Sequence, residues 1–222
     1  MILVCTRNSG QGRQRGPSMP KIVDHDAQRS TFAEAAMRLI AKHGLEGLTM
    51  RSVAAESGLS YGSLFHYFES KDDLLMHAVR HSMAEQTRRV NEFQETSAGL
   101  AALERLLCDD AITDSASRDA WLVWLTFLYK AALQPTFARL HAELIDGWLG
   151  RFRRLLMDAQ LMGEVGGDLD IDFEAKALWA YSAGIGQMGI LDPARLPPAL
   201  QKRMISAYLE RLRPVQVPAF GA

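Results

Sequence analysis

The side chains best suited to chemistry in this sequence are four neighbours, Ser60, Tyr61, Gly62 and Ser63. The two serine hydroxyls and the tyrosine phenol can donate or accept hydrogen bonds, and the glycine lets another backbone approach closely. The tyrosine ring also offers an apolar surface to the methyl group of thymine. This chemistry suits the edges of DNA bases, provided that the four residues begin a helix that enters the major groove.

The surrounding segment, Leu48 to Leu75, predicts two short helices joined by a tight turn, and then the start of a longer helix. Thr49 is expected to cap the first helix and Ser60 the second, because each hydroxyl can accept a hydrogen bond from a free first-turn amide. The second helix is expected to carry Tyr61, Gly62, Ser63, His66 and Tyr67. Gly58 stands where the chain must turn and a side chain would be costly. The run Ser70-Lys71-Asp72-Asp73 is typical of a capping box that begins the next helix. The whole pattern indicates a helix-turn-helix.

In several positions at fixed spacing, this segment resembles the TetR family of one-component transcriptional regulators. The matching residues are Thr49, Val53-Ala54, Gly58, Ser60, Gly62-Ser63, Tyr67-Phe68 and Ser70-Lys71. The resemblance implies that Arg51 also contacts a base and that phosphates are bound by Thr49, His66, Tyr67 and Lys71. Phe65 stands where many members carry a tyrosine, so His66 and Tyr67 are expected to take over more of the phosphate binding.

Net charge does not by itself indicate a nucleic-acid-binding protein. The formal charge of the 222 residues is −1, and Met19 to Leu75 holds six basic and eight acidic residues. DNA affinity must therefore come from a few well-placed cations, hydroxyls and helix N-termini.

The two cysteines, Cys5 and Cys108, do not suggest a disulfide framework, and they fit a reducing compartment. No apolar run is long enough to span a membrane, and the first residues lack the features of a signal peptide. A cytoplasmic location is expected.

The chain divides into four predicted parts: a tail at 1–25, a helix-turn-helix domain at 26–75, a helical effector-binding and dimerisation domain at 76–215, and a tail at 216–222. The first tail is polar and glycine-rich without periodicity, which favours disorder. Translation that starts at Met19 would make the first eighteen residues an extension. Alternatively, four cations form a basic arm that reaches a DNA groove, namely Arg7, Arg13, Arg15 and Lys21.

Apolar residues recur at three- and four-residue spacing through the rest of the chain, which predicts an all-α protein. Helix boundaries are expected near Asp26–His43, Asp72–Gln94, Ala98–Asp109, Ser117–Leu133, Pro135–Gln160, Phe173–Met188 and Pro198–Arg213. The long helix Asp72–Gln94 would join the DNA-binding head to the body and hold a hinge. The resemblance to the family implies a three-helix head and a larger ligand-binding body.

The aromatic segment from Trp121 to Tyr129 is apolar nearly all round, which predicts a helix at the centre of the body. Family resemblance implies an effector pocket in this body, and a mostly apolar wall with a few polar groups is usual for such a site. The candidate lining residues are Trp121, Trp124, Thr126, Phe127, Tyr129, Phe137, His141, Trp148 and Gln187. The alternative for each of these aromatic residues is ordinary core packing.

This region also resembles the choline-responsive repressor branch of the family in Trp121, Trp124, Pro135 and Ile145-Asp146-Gly147-Trp148. Choline itself is not implied. A quaternary ammonium ligand would need an aromatic cage, and the tryptophans could form one or belong to the core.

Two further patterns carry little chemical weight. Gly184-Ile185-Gly186-Gln187-Met188-Gly189 fits a dinucleotide fingerprint but lies in a helical context, so close helix packing at a dimer interface is preferred to cofactor binding. His77 and His81 share a helix face with Glu85, yet the sequence lacks a full metal-binding pattern. We expect no cofactor, no metal and no enzymatic activity.

The predicted function is that of a homodimeric repressor, released from double-stranded DNA by a small apolar or amphipathic effector. The dimer would form through the last two helices, about 173–190 and 198–213, and would bind a near-palindromic operator. One rival is a regulator that has lost its ligand response. The other is an all-α enzyme or small-molecule carrier whose DNA-binding head is a relic.

Overall fold

A computed structural model describes residues 25–94, 97–109, 111–112 and 114–214. In this part of the chain all regular structure is α-helical, which confirms the predicted fold class. The helices are α1 His25–Gly47, α2 Met50–Ser57, α3 Tyr61–Leu64, α4 Lys71–Gln94, α5 Gly99–Asp109, α6 Ser115–Leu133, α7 Pro135–Leu161, α8 Ile171–Leu191 and α9 Pro198–Glu210. Both predicted tails lie outside the described residues except for His25, and so do the basic arm and Cys5.

The caps of the helix-turn-helix follow the sequence prediction. The Thr49 hydroxyl accepts a hydrogen bond from the backbone N–H of Ser52 at 3.0 Å, and Ser52 Oγ accepts one from the N–H of Thr49 at 3.0 Å. Gly58 ends α2 in the left-handed region with φ 69°, where a Cβ would add strain. Ser60 caps α3 through the N–H of Ser63 at 3.0 Å.

Two helix ends differ from the prediction. Gly44 does interrupt the first helix, with φ 65°, but one further turn continues to Gly47. The recognition helix α3 ends at Leu64, so His66 and Tyr67 lie outside it, contrary to the prediction. Their amides donate to carbonyl oxygens three residues back, His66 to Ser63 and Tyr67 to Leu64, each at 3.0 Å. This tighter turn bends the chain toward α4.

The central helix of the body is α6, as predicted, because it packs against α1, α4, α7 and α8. Its Val123 and Phe127 belong to the same buried cluster as Phe32 of α1 and Leu75 of α4. The head and the body therefore share one core.

The three glycines of the apparent fingerprint lie inside α8. A Cβ on Gly186 would meet the indole of Trp121, and one on Gly189 would meet Gln201 and Ile112. Gly184 has no neighbour within 4 Å of such an atom. Gly186 and Gly189 therefore allow close packing within the protomer, and of the three glycines only Gly184 remains open to a partner.

None of the helices in the described residues is long and apolar enough to cross a membrane. Within the same residues, no group of three or more His, Cys, Asp and Glu side chains is arranged to hold a metal ion.

Candidate DNA-binding face and effector cavity

The first turn of α3 is open to solvent. Ser60, Tyr61 and Gly62 are exposed, with 48% of Tyr61 accessible to solvent. The Tyr61 ring stands edge-on to Phe65, with ring centroids 5.0 Å apart. No atom lies within 4 Å of the position of a Cβ on Gly62. This turn therefore offers a phenol, hydroxyls and bare backbone to a groove, which is the geometry that base contacts need.

The chain after α3 is anchored to the first turn of α1. The Tyr67 hydroxyl donates to Oε1 of Gln28 at 2.9 Å and lies 3.0 Å from Nδ1 of His25. Ser63 Oγ makes a longer bond to the same Gln28 oxygen, at 3.4 Å. Gln28 was not singled out in the sequence, since a lone glutamine on a helix face carries no pattern. Its role is to fix the orientation of the recognition turn.

The nine predicted DNA-binding residues fall into two groups. Six are exposed, namely Thr49, Arg51, Ser60, Tyr61, Gly62 and His66, and three are partly buried, namely Ser63, Tyr67 and Lys71. Lys71 has a structural bond that the sequence did not predict: its Nζ donates to the carbonyl oxygen of Leu45 at 2.6 Å. The ammonium group thus satisfies a carbonyl beyond the Gly44 kink, and a phosphate contact would come in addition to that bond.

A cavity lies between the head and the body. Its volume is about 820 Å³, and its walls come from α1, α4, α5, α6, α7 and α8. All four tryptophans of the chain line it, namely Trp121, Trp124, Trp148 and Trp179. Ligand pockets for drug-sized molecules measure about 300–1,000 Å³, so the volume is sufficient for such a ligand.

Three of the nine predicted pocket residues line this cavity, Trp121, Trp124 and Trp148. The other six lie elsewhere for clear reasons. Phe127 and Phe137 fill the shared core, and His141 stacks behind Trp124 with ring centroids 5.8 Å apart. The Thr126 hydroxyl donates to the carbonyl oxygen of Leu122 at 2.8 Å, while Tyr129 and Gln187 are exposed.

The head itself contributes to the cavity wall through Glu34, Met37 and Arg38 of α1. Arg38 Nε also donates to Oε1 of Glu56 on α2 at 2.8 Å. One side chain therefore connects the cavity to the first helix of the helix-turn-helix. The sequence did not reveal this wall, because Glu34 and Arg38 at i and i+4 resemble an ordinary solvated helix face.

Ion pairs join α4 to α7 and to α6. Both terminal nitrogens of Arg80 donate to the carboxylate of Glu143 on α7, at 2.8 and 2.9 Å. This hydrogen bonding lowers the pKa of the Glu143 carboxyl. Lys130 of α6 pairs with Asp72 in the first turn of α4. A shift of α6 or α7 would therefore act directly on the helix that carries the head.

A helix-turn-helix head combined with a helical body that encloses a cavity defines a one-component transcriptional regulator. Residues 33–78 match the model of the tetR family of bacterial regulatory proteins, and residues 98–214 match that of the BetI-type transcriptional repressor C-terminal domain. The chain therefore belongs to the TetR family of transcriptional regulators, and it is of the repressor type.

Individual relatives agree with this assignment. The transcriptional regulator PksA of Bacillus subtilis strain 168 is 30% identical over 198 residues, which cover 87% of this chain and 94% of PksA. The transcriptional regulator BetI of Burkholderia ambifaria strain MC40-6 is 31% identical over 136 residues, or 57% of this chain and 70% of BetI. A regulator from Saccharomonospora viridis, solved in complex with choline, has a TM-score of 0.75 at 26% identity and covers 84% of this chain and 97% of its own. These relatives are regulators rather than enzymes.

Proposed function

We propose that this repressor acts as a homodimer on a near-palindromic operator and is released when a small amphipathic molecule enters the cavity between head and body. The observation that carries the proposal is the composition of the cavity wall. Because α1 supplies Glu34, Met37 and Arg38, an occupant would touch the DNA-binding head directly. The choline bound by the Saccharomonospora viridis relative supports a small-molecule effector.

On the DNA side, Tyr61 and Ser63 would contact base edges, and Gly62 would allow the backbone to enter the groove. Arg51 is exposed on α2 and is suited to a guanine. Thr49, His66, Tyr67 and Lys71 would hold phosphates and fix the register of the head on the duplex. Phosphate contacts position the protein, whereas the base contacts select the sequence.

Dimerisation through α8 and α9 is supported by the apolar side chains that this side of the protomer leaves exposed. Phe173, Met188 and Leu191 of α8 are all at least half accessible to solvent. Large apolar side chains exposed along one helix support an interface at that helix. Two α8–α9 pairs would form a four-helix bundle, and its two-fold axis would match the symmetry of a near-palindrome.

Release requires that the ligand binds better to a state whose two heads are wrongly spaced for DNA. In that case the population shift equals the difference in the ligand's affinity for the two states. The contacts available for transmission are the Arg38–Glu56 bond within the head and the Arg80–Glu143 pair between α4 and α7. The first contact couples a residue of the cavity wall to α2, and the second couples α7 to the long helix that carries the head.

The proposal is tested by measuring binding of the purified protein to the DNA upstream of its own gene, by fluorescence anisotropy at several salt concentrations. We expect a dimer to bind a near-palindromic fragment with a steep salt dependence. Tyr61→Ala should weaken binding by about tenfold or more, since a good base contact contributes about 1–3 kcal/mol.

The matched control is Tyr129→Ala, which removes a phenol that is 64% exposed on the body. It should bind the operator as the wild type does. Failure of the wild type to bind any genomic fragment specifically would refute the proposed function. Equal losses in Tyr61→Ala and Tyr129→Ala would refute the assignment of α3 as the contact surface.

A further inference from the structure

The first turn of α1 offers one acceptor atom to two hydroxyl groups of the recognition segment. The Tyr67 hydroxyl donates to Oε1 of Gln28 at 2.9 Å, and the Ser63 hydroxyl donates to the same oxygen at 3.4 Å. An amide oxygen carries lone pairs and no proton, so it can only accept hydrogen bonds. The proton of each hydroxyl group therefore points at Gln28.

The start of α1 and the segment after α3 are tied together at more than this one atom. Gln28 itself is half-buried. His25 Nδ1 lies 3.0 Å from the Tyr67 hydroxyl, and Arg29 Nη2 donates to the carbonyl oxygen of Tyr67 at 3.5 Å. Because three residues near the start of α1 contact Tyr67, the Gln28 amide is held beside the recognition helix.

This arrangement decides what Ser63 can offer to DNA. Ser63 is the third residue of α3, and it stays partly accessible beside the exposed Tyr61 and Gly62. A free serine hydroxyl rotates and can either donate or accept, so it does not discriminate well between base edges. With its proton used by Gln28, the oxygen presents only lone pairs. In the major groove, the donors are the amino groups of adenine and cytosine, whereas guanine and thymine present acceptor oxygens.

We propose that Gln28 is a specificity-determining residue that acts through Ser63: it fixes the serine as a hydrogen-bond acceptor, so that Ser63 selects the amino group of an adenine or a cytosine. This inference rests on the proposed function, in which Ser63 contacts a base edge. A guanine or thymine at the same place would bring two acceptors face to face, unless Ser63 gave up its bond to Gln28. The unfavourable alternative therefore contributes to discrimination together with the contact itself.

The test measures base preference in the full-length protein, by competition in fluorescence anisotropy. Each base pair of the operator half-sites is first reversed in turn, from A·T to T·A or from C·G to G·C. The pair whose reversal costs less affinity in Ser63→Ala than in the wild type is the one that Ser63 contacts. We expect its reversal to weaken wild-type binding by about fivefold, as for a single neutral hydrogen bond.

The direction of this hydrogen bond is tested by removing the amino group of the contacted pair, with purine in place of adenine or 2-pyrimidinone in place of cytosine. Each base pair carries one such amino group in the major groove. Its removal should weaken wild-type binding by about fivefold more than Ser63→Ala binding, because only the wild type accepts a hydrogen bond from it. Equal losses in the two proteins would mean that Ser63 donates instead, and would overturn the proposal.

Gln28→Met removes the acceptor and keeps the length of the side chain. The Ser63 hydroxyl is then free to rotate, so the cost of reversing the contacted pair should fall from about fivefold to about twofold or less. Gln28→Glu keeps an acceptor and should keep the full cost of reversal, although its negative charge weakens binding to all sequences alike. In the Ser63→Ala background, Gln28→Met should change no base preference.

A purely structural role of Gln28 would give a different result. Gln28→Met would then weaken binding to every sequence by the same factor and leave the cost of reversal unchanged, and this result would overturn the proposal. If the methionine variant melts far below the wild type, Gln28→Leu, which also lacks an acceptor, repeats the comparison.

The proposed function is judged separately, by whether the wild type binds a genomic fragment specifically. If it does, but Ser63→Ala changes no base preference, the proposed function stands and the inference about Gln28 is wrong. If no fragment is bound specifically, both proposals fail.

Discussion

Replacing Gly186 by alanine should destabilise the protein through a single clash. A Cβ at this position would lie 1.9 Å from Cζ2, 2.3 Å from Cη2 and 2.4 Å from Cε2 of Trp121. The tryptophan is only 7% exposed and cannot simply move into solvent. Overpacking of a core costs about 1–3 kcal/mol, and contact with a rigid indole places this substitution near about 3 kcal/mol.

Part of that cost is offset, because alanine is better than glycine in a helix interior by about 1 kcal/mol. The net loss is then about 2 kcal/mol. A change of about 1 kcal/mol shifts the melting temperature of a chain of this size by about 2–4 °C, so Gly186→Ala should melt about 4–8 °C lower. Melting is followed by circular dichroism at one fixed protein concentration, because dimerisation would make the midpoint depend on concentration.

Gly147→Ala supplies the control within α7, where no atom lies within 4 Å of the new Cβ. Only the helix propensity acts there, so its melting temperature should rise by about 2–4 °C. The two substitutions are chemically identical and should move the midpoint in opposite directions. A Gly186→Ala protein that melts at or above the wild type would refute the close packing of Trp121 against α8.

Three further predictions concern caps, buried polar groups and pH. Gln201→Ala should lower the free energy of unfolding, measured in urea, by about 3 kcal/mol. The buried Gln201 side chain accepts a hydrogen bond from the N–H of Ile112 and donates one to the carbonyl oxygen of Leu196. A loss under about 1 kcal/mol would contradict this prediction. Thr49→Ala should cost about 1 kcal/mol in the same assay, while Thr49→Ser keeps the cap and most of the stability. Burial lowers the pKa of the His141 imidazole below its usual value of 6.5. The unfolded chain therefore takes up the proton first as the pH falls, and stability is lost below pH 6.5. His141→Phe should flatten that dependence in melting curves between pH 5 and 8.

The helices and the helix-turn-helix were predictable because their signals are local. Thr49, Gly58 and Ser60 are residue types with a fixed role at a helix end, and they hold those roles in the structure. Pro135 and Pro198 begin α7 and α9 as the sequence indicated. The predicted extension of the recognition helix to Tyr67 was wrong. The Tyr67 hydroxyl bonds Gln28, which lies 39 residues earlier in the chain, and a contact so distant in sequence leaves no local signal.

The cavity was harder to predict, because periodicity distinguishes buried from exposed faces but not filled from unfilled space. Phe127 and Trp124 lie three residues apart in α6, yet Phe127 fills the shared core while Trp124 also faces the cavity. Trp179 gave no signal that separates a cavity wall from a packed core, and Glu34 resembled a surface residue. Both acquire their position from the packing of helices that are distant in sequence.

The core shared by Phe32, Leu75, Val123 and Phe127 also bears on how such regulators diversify. A DNA-binding head that had its own core could recombine freely with foreign bodies and so exchange operators between regulators. Here residues 25–75 rely on α6 to cover their apolar side. A head transplanted without matching residues on that helix would expose large side chains and lose stability. Operator specificity in this lineage should therefore change by point substitutions in and around α3, such as at Tyr61, rather than by exchange of whole heads.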